Sequence, residues 1–122
     1  NIPSYDLIAF VLQRCKNVRE AANLLSDVNI TPTAFTPDLP PTPLHWIFAD
    51  PRESIVFEQT ADGGKVYSNP IGVLTNAPTF PEHLNNIEKG EKATDFSSES
   101  RFILAAEAKK RPAPECAEQF LI

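Results

Sequence analysis

The sequence predicts an α+β fold, with helices towards the two ends of the chain and an antiparallel sheet between them. Three observations carry this reading. Apolar residues recur every three or four positions before residue 30 and again after residue 80. Between those regions they fall in short strand-length runs separated by Pro or Gly turns. Twelve Pro among 122 residues, about twice the usual ~5%, confine each element to the stretches between prolines. A content of 42% hydrophobic and 22% charged residues is ordinary for a globular chain of about one domain, and it excludes disorder or a fibre.

Pro3 and Ser4 open a first helix with Leu7, Ile8, Val11 and Leu12 on one face, ending between Arg14 and Lys16. Asn17, followed three residues later by Glu20, is a variant of the capping box. Val18, Ala21, Ala22, Leu24, Leu25 and Val28 then form the stripe of a second helix. Residues 31–43 hold five prolines and few strongly apolar residues, so they read as an extended loop without a regular ladder. Strands follow at 44–50, 54–60 and 65–69, joined by tight turns. Asp62, Gly63 and Gly64 supply the positive φ that a hairpin needs. Asn69-Pro70 breaks the third strand, and residues 71–76 read as a fourth.

A short helix over 80–89 has Pro81 in its first turn and Gly90 at its exit. After a polar linker at 91–94, residues 95–100 offer cap candidates for a helix carrying Phe102, Ile103, Ala105 and Ala106 and stopping before Pro112. A last helix runs from Ala113 through Cys116, Phe120 and Leu121. No internal repeat is present.

The net charge of −5 argues against nucleic acid as a partner. The one basic run, Lys109, Lys110 and Arg111, complements the carbonyl end of a helix. No apolar run approaches the roughly 18 residues that span a bilayer, and no secretory signal opens the chain, so a soluble, cytoplasmic protein without a membrane partner is expected. Cys15 and Cys116 lack metal-ligand spacing and read as free, buried, small apolar residues. Asn29-Ile30-Thr31 is a formal glycosylation sequon of a length that arises by chance. Gly-rich phosphate loops, His-x-x-x-His, Cys-x-x-Cys and Gly-x-Ser-x-Gly are all missing, so neither a cofactor nor a metal is expected. His45 reads as a hydrogen-bonded strand residue and Trp46 as a core aromatic.

Two positions stand out. Asn76 closes a strand just before Ala77-Pro78, where its amide either points into a cleft or satisfies local turn backbone. Arg101 lies near the start of a helix, where a cation opposes the dipole. It either serves a site or bridges to Glu99 or Asp95 on the surface.

Residues 43–50 (PLHWIFAD), 53–56 (ESIV) and 65–78 (KVYSNPIGVLTNAP) occur in an order that resembles the choloylglycine hydrolase family, which includes the bile salt hydrolases and penicillin V acylases. Tyr5-Asp6-Leu7-Ile8 with Cys15 fits the preceding helix of the family, and the run from Asp95 through Ser100, Arg101 and Phe102 fits its Ser-Arg-Phe motif. The resemblance implies part of an αββα N-terminal-nucleophile hydrolase sandwich. It also implies cleavage of a linear amide bond, in which an N-terminal Cys exposed by processing attacks the carbonyl and its α-amine acts as base. Asn76, at the Thr-Asn-x-Pro position, would donate its amide N–H near the scissile carbonyl. Arg101 would place its guanidinium beside the nucleophile and favour the thiolate.

Nothing in the sequence matches the family's N-terminal Cys or its accompanying Arg and Asp, and neither Cys15 nor Cys116 carries a free α-amine. The stretch between Asn86 and Asp95 is abbreviated relative to the family pattern. Residues 1–122 are therefore expected to form a single partial domain, the middle portion of such a hydrolase. The chain would begin after the nucleophile, in keeping with its lack of Met, and would be inactive alone. The implied partner is a small-molecule amide, with the wording around Thr75 and Asn76 leaning towards a conjugated bile salt over penicillin V. A non-catalytic scaffold or binding module is the alternative from a different class. Half a four-layer sandwich would leave an apolar sheet face without its partner, so a homo-oligomer or association with the missing part of the fold is also expected.

Overall fold

The computed structural model describes residues 1–32 and 45–110. Strand β1 (Ile2–Pro3) leads through a single 3₁₀ turn into α1 (Leu7–Arg14), followed by α2 (Val18–Leu25) and β2 (Ile30–Thr31). Then come β3 (His45–Ala49), β4 (Ser54–Thr60), β5 (Gly63–Ser68), α3 (Phe80–Glu88) and α4 (Ser98–Lys109). The expected order of helices, sheet and helices is present. Asn17 caps α2 as the spacing implied, its side chain accepting from the Glu20 N–H at 2.9 Å.

Two parts of the sequence reading change. Residues 71–76 are not a strand. Asn69 captures the groups that a strand would have paired: its backbone carbonyl and its Oδ1 both accept from the Gly72 N–H, while its Nδ2 donates to the Val73 carbonyl. Gly72 sits at φ +75°, and the chain turns there. In addition, β1 and β2 form a small parallel pair, Ile2 opposite Ile30 and Pro3 opposite Thr31. Two residues per strand are too few for a periodic signal, so the sequence placed Pro3 in a helix and Thr31 in a loop. The remainder of the expected loop up to residue 43, the expected helix from Ala113 and Cys116 lie outside the described residues.

β3, β4 and β5 form an antiparallel meander in which Trp46 lies opposite Phe57 and Phe57 opposite Val66. The second hairpin pairs Thr60 with Gly63, whose φ of +112° lets the chain reverse. At Gly64 a β-carbon would come within 2.8 Å of the Phe57 ring and 2.9 Å of the Val28 carbonyl, so hydrogen is the side chain that fits.

Alternation along the strands sends side chains to two faces. Trp46, Ile55 and Phe57 face α1 and α2, joining Leu7, Val11, Val18, Ala21 and Leu25 in one core. Val56 faces the other way and packs with Val73, Phe80 and Phe102 from the loop, α3 and α4. The segment after β5 thus gives this face partners over β4 and β5, while Ile47 of β3, opposite Val56, stays 42% exposed, so the described residues stack as helices, sheet and helices with part of the second face open. The segment after β5 folds back across β4 and β5, bringing Leu84 and Ile87 around Val56 beside Tyr67 of β5.

Candidate functional site

The ends of three elements converge where the chain leaves the sheet for α3. Glu58, near the end of β4, is 5% exposed, and its two carboxylate oxygens accept from the Phe80 N–H at 3.0 and 3.1 Å. A carboxylate at the first turn of α3 satisfies an N–H with no intrahelical partner and complements the helix dipole. Across the strand pair, His45 Nδ1 lies 3.2 Å from Glu58 Oε2. The same helix end is fixed from outside by Glu82, which accepts from the N–H and Oγ1 of Thr79 at 3.0 and 2.9 Å and is thereby held below the usual carboxylate pKa range.

Asn76, Ala77 and Pro78, together with His45, Glu58 and Glu82, line an open cavity of about 510 Å³. The Asn76 side chain is exposed, and its Oδ1 accepts from Arg101 Nη2 at 3.1 Å. A guanidinium has donors only, so the oxygen end of the amide is the end that faces it. Nδ2 is thereby left pointing elsewhere, without a hydrogen bond to the described residues. Arg101 reaches Asn76 from the first turn and a half of α4, and its Nε also donates to the Ser97 carbonyl at 3.4 Å. The surface bridge to Glu99 or Asp95 that the sequence left open gives way to this contact. The local-turn alternative for the Asn76 amide gives way as well, to a partner 25 positions along the chain.

Further side chains hold this pair, among them Ser97, one of the cap candidates the sequence offered. Ser97 caps α4, accepting from the Ser100 N–H at 3.2 Å, and the buried Ser100 Oγ accepts from the Thr94 N–H. Thr75 Oγ1 donates to the Ser98 carbonyl and accepts from Ser98 Oγ, both at 2.9 Å, tying the residue before Asn76 to the start of α4. His83, 1% exposed on α3, places Nε2 2.9 Å from the Asn76 carbonyl oxygen. Signals for some of these existed. His83 follows Phe80 by three positions on the inward face of a helix, and strand alternation puts Glu58 on the same inward face as Val56. A polar side chain on an inward face needs buried partners.

Cys15 lies elsewhere. It is free, partly buried against the α1 and α2 core, and its thiol pKa is raised by burial first and by Glu20 second, with Arg14 opposing. Among the described residues no group of three or more His, Cys, Asp or Glu converges as a metal site, and no helix is long and apolar enough to cross a membrane.

Residues 1–103 match the model of the linear amide C–N hydrolases of the choloylglycine hydrolase family. The chain belongs to the choloylglycine hydrolase family. Over 102 residues it is 37% identical to a bile salt hydrolase/transferase of Lactiplantibacillus plantarum, covering 84% of this chain and 32% of that protein. A bile salt hydrolase/transferase of Clostridium perfringens is 40% identical over 90 residues, covering 73% and 27%. Uncharacterized protein A284L of Paramecium bursaria Chlorella virus 1 is 34% identical over 128 residues, covering 87% and 46%. Crystal structures of two variants of conjugated bile acid hydrolase from Clostridium perfringens superpose with a TM-score of 0.82 at 31% identity, covering 90% of this chain and 42% of theirs. The chain thus spans between 27% and 46% of the length of these relatives. Its α+β fold is that of the matched part of the bile acid hydrolase structures.

Proposed function

We propose that this chain is the middle portion of a hydrolase that cleaves the linear amide bond of a conjugated bile salt, with Asn76 and Arg101 beside the scissile carbonyl. The observation that carries the reading is the hydrogen bond from Arg101 Nη2 to Asn76 Oδ1. It joins two family motifs 25 positions apart and leaves the Asn76 Nδ2 hydrogens to donate at the rim of a cavity. A donor fixed before the reaction is worth most where negative charge develops on the carbonyl oxygen. The guanidinium adds positive charge at the same place, which favours a thiolate nucleophile and the oxyanion alike.

The nucleophile of this reading is the family's N-terminal Cys, supplied from outside residues 1–122. Cys15 is a poor substitute, because its raised pKa keeps it as thiol and it carries no free α-amine. The bile salt preference is supported by the names of the relatives from Lactiplantibacillus plantarum and Clostridium perfringens. In the reaction the amide C–N bond breaks and water adds, giving a carboxylic acid and an amine.

The test is hydrolysis of a conjugated bile salt and of penicillin V by the full-length protein that carries this segment. Asn76→Ala should lower kcat by about 10²–10³-fold, as for loss of one oxyanion donor. Arg101→Ala should lower it as well, and the bile salt should be the better substrate. Near wild-type rates in both variants would defeat the assigned roles. A full-length protein without amidase activity would favour a scaffold or binding module.

A further inference from the structure

The Asn76 carbonyl and the Arg101 helix are joined at a second point, away from the cavity. His83 Nε2 lies 2.9 Å from the Asn76 carbonyl oxygen, and a carbonyl can only accept, so Nε2 carries the proton of this hydrogen bond. The imidazole lies flat on the ring of Phe102, with centroids 4.4 Å apart and planes 7° apart. Phe102 is fully buried and immediately follows Arg101 in α4. Phe80 packs edge-on against the same Phe102 ring, at 6.2 Å and 62°. His83 thus touches the backbone of one site residue through its edge and the neighbour of the other through its face.

We infer that His83 is a positioning residue for the proposed amidase site: it fixes the Asn76 backbone relative to α4, and so sets where the Asn76 amide and the Arg101 guanidinium meet. This inference rests on the function proposed above. Three features support a specific role over simple core filling. The side chain is polar and 1% exposed, yet its Nδ1 has no hydrogen-bond partner among the described residues. An apolar side chain of similar volume would avoid that cost, so the stability of the core alone does not call for histidine here. The one hydrogen bond that the ring makes among the described residues goes to Asn76, the residue whose amide meets Arg101. Finally, stacking on a ring fixed by a second aromatic restricts the imidazole to a single plane, which fixes the direction of its N–H. Misplacement of a reacting group by about 1 Å can cost about 10²-fold in rate, so such a constraint has a kinetic consequence.

The experiment uses the full-length protein with a conjugated bile salt as probe. His83→Leu should lower kcat by about 10–100-fold while KM moves by less than about threefold. His83→Gln, whose amide N–H can still reach the Asn76 carbonyl, should recover most of the loss. In an Asn76→Ala background His83→Leu should cost far less than in the wild type, because both act through one group. Ring nitrogen NMR of the full-length protein should show the proton of His83 on Nε2. The inference is overturned if His83→Leu keeps kcat, if His83→Gln is as slow as His83→Leu at equal thermal stability, if the loss is the same in both backgrounds, or if the proton resides on Nδ1. If His83→Leu does not fold, His83→Asn takes its place, one methylene shorter than Gln and unable to reach the carbonyl, with the same expectations. Asn76→Ala at wild-type rate would instead defeat the function proposed for the site, and this inference with it. A slow Asn76→Ala beside a fast His83→Leu would defeat this inference alone.

Discussion

On one face of the sheet Phe57 packs against Trp46, with ring centroids 5.8 Å apart, and against the apolar stripes of α1 and α2. On the other, Val56 shares its surroundings with α3 and α4, the elements that bury His83 and Ser100 and meet the Glu58 carboxylate. The two faces are built by the same strands, one residue out of phase. Among the described residues, the buried polar side chains Glu58, Asn69, His83 and Ser100 all serve the second face or the loop that leads to it. A buried polar group stabilises only when its partners are in place, so the second face specifies positions where the first supplies cohesion. Asn76 and Arg101 sit at the margin of that second face, with their backbones held from within and their side chains outside.

Substitutions can break this contrast in graded steps. The largest effect is expected on the apolar face: Phe57→Ala should lower unfolding stability by about 3–5 kcal/mol, read from urea denaturation, because a fully buried ring is lost and its cavity is enclosed by sheet and helices. Glu58→Leu tests the polar face. It leaves the Phe80 N–H and His45 without their acceptor at a buried position, and should cost about 1–3 kcal/mol despite the gain in hydrophobicity. A neutral or stabilising outcome would mean that the second face is held by packing as the first is. Back on the first face, Asn17→Ala removes the α2 cap and should cost about 1 kcal/mol.

The smallest effect is in pH, and it touches both faces. The Asp50 carboxylate accepts from the N–H groups of Val18, Arg52 and Glu53, which hold its pKa below the ordinary value, the Val18 contact being the largest cause. Asp95 is lowered chiefly by Ser97, whose hydroxyl and N–H both act on it, with a lesser contribution from Ser100. Groups with depressed pKa stabilise the fold above their unfolded values of about 4, and that stability is lost as pH falls through the lower folded values. Urea midpoints measured between about pH 6 and pH 2 should therefore fall on acidification. Asp50→Asn should flatten part of the slope through the α2 side, and Asp95→Asn through the α4 side.

Much of this was legible in advance because it depends on near neighbours in the chain. The period of Leu7, Val11, Val18, Ala21 and Leu25 marks two helices, Gly63 marks the hairpin, and Asn17 with Glu20 marks a cap. The fourth strand over 71–76 was misread because its apolar residues have strand character, while the competing Asn69 hydrogen bonds depend on a turn geometry with no periodic signature. The partial cover that α3 and α4 give the second sheet face has no signature in the sequence for a related reason. An amphipathic helix announces that it will bury a face, without saying which surface it will meet.

By itself, then, the sequence determined the four described helices and the three-stranded meander, their order, the alternation that assigns each strand residue to a face, and the resemblance that singled out Asn76 and Arg101. Only the tertiary structure decided that these two side chains touch, that Glu58 ends at the first turn of α3, and that His83 is clamped between the Asn76 carbonyl and Phe102. Local periodicity encodes which side of an element faces inward. Contacts between residues 22 and 25 positions apart depend on how helices settle on the sheet, which side-chain packing fixes only once the whole core has formed.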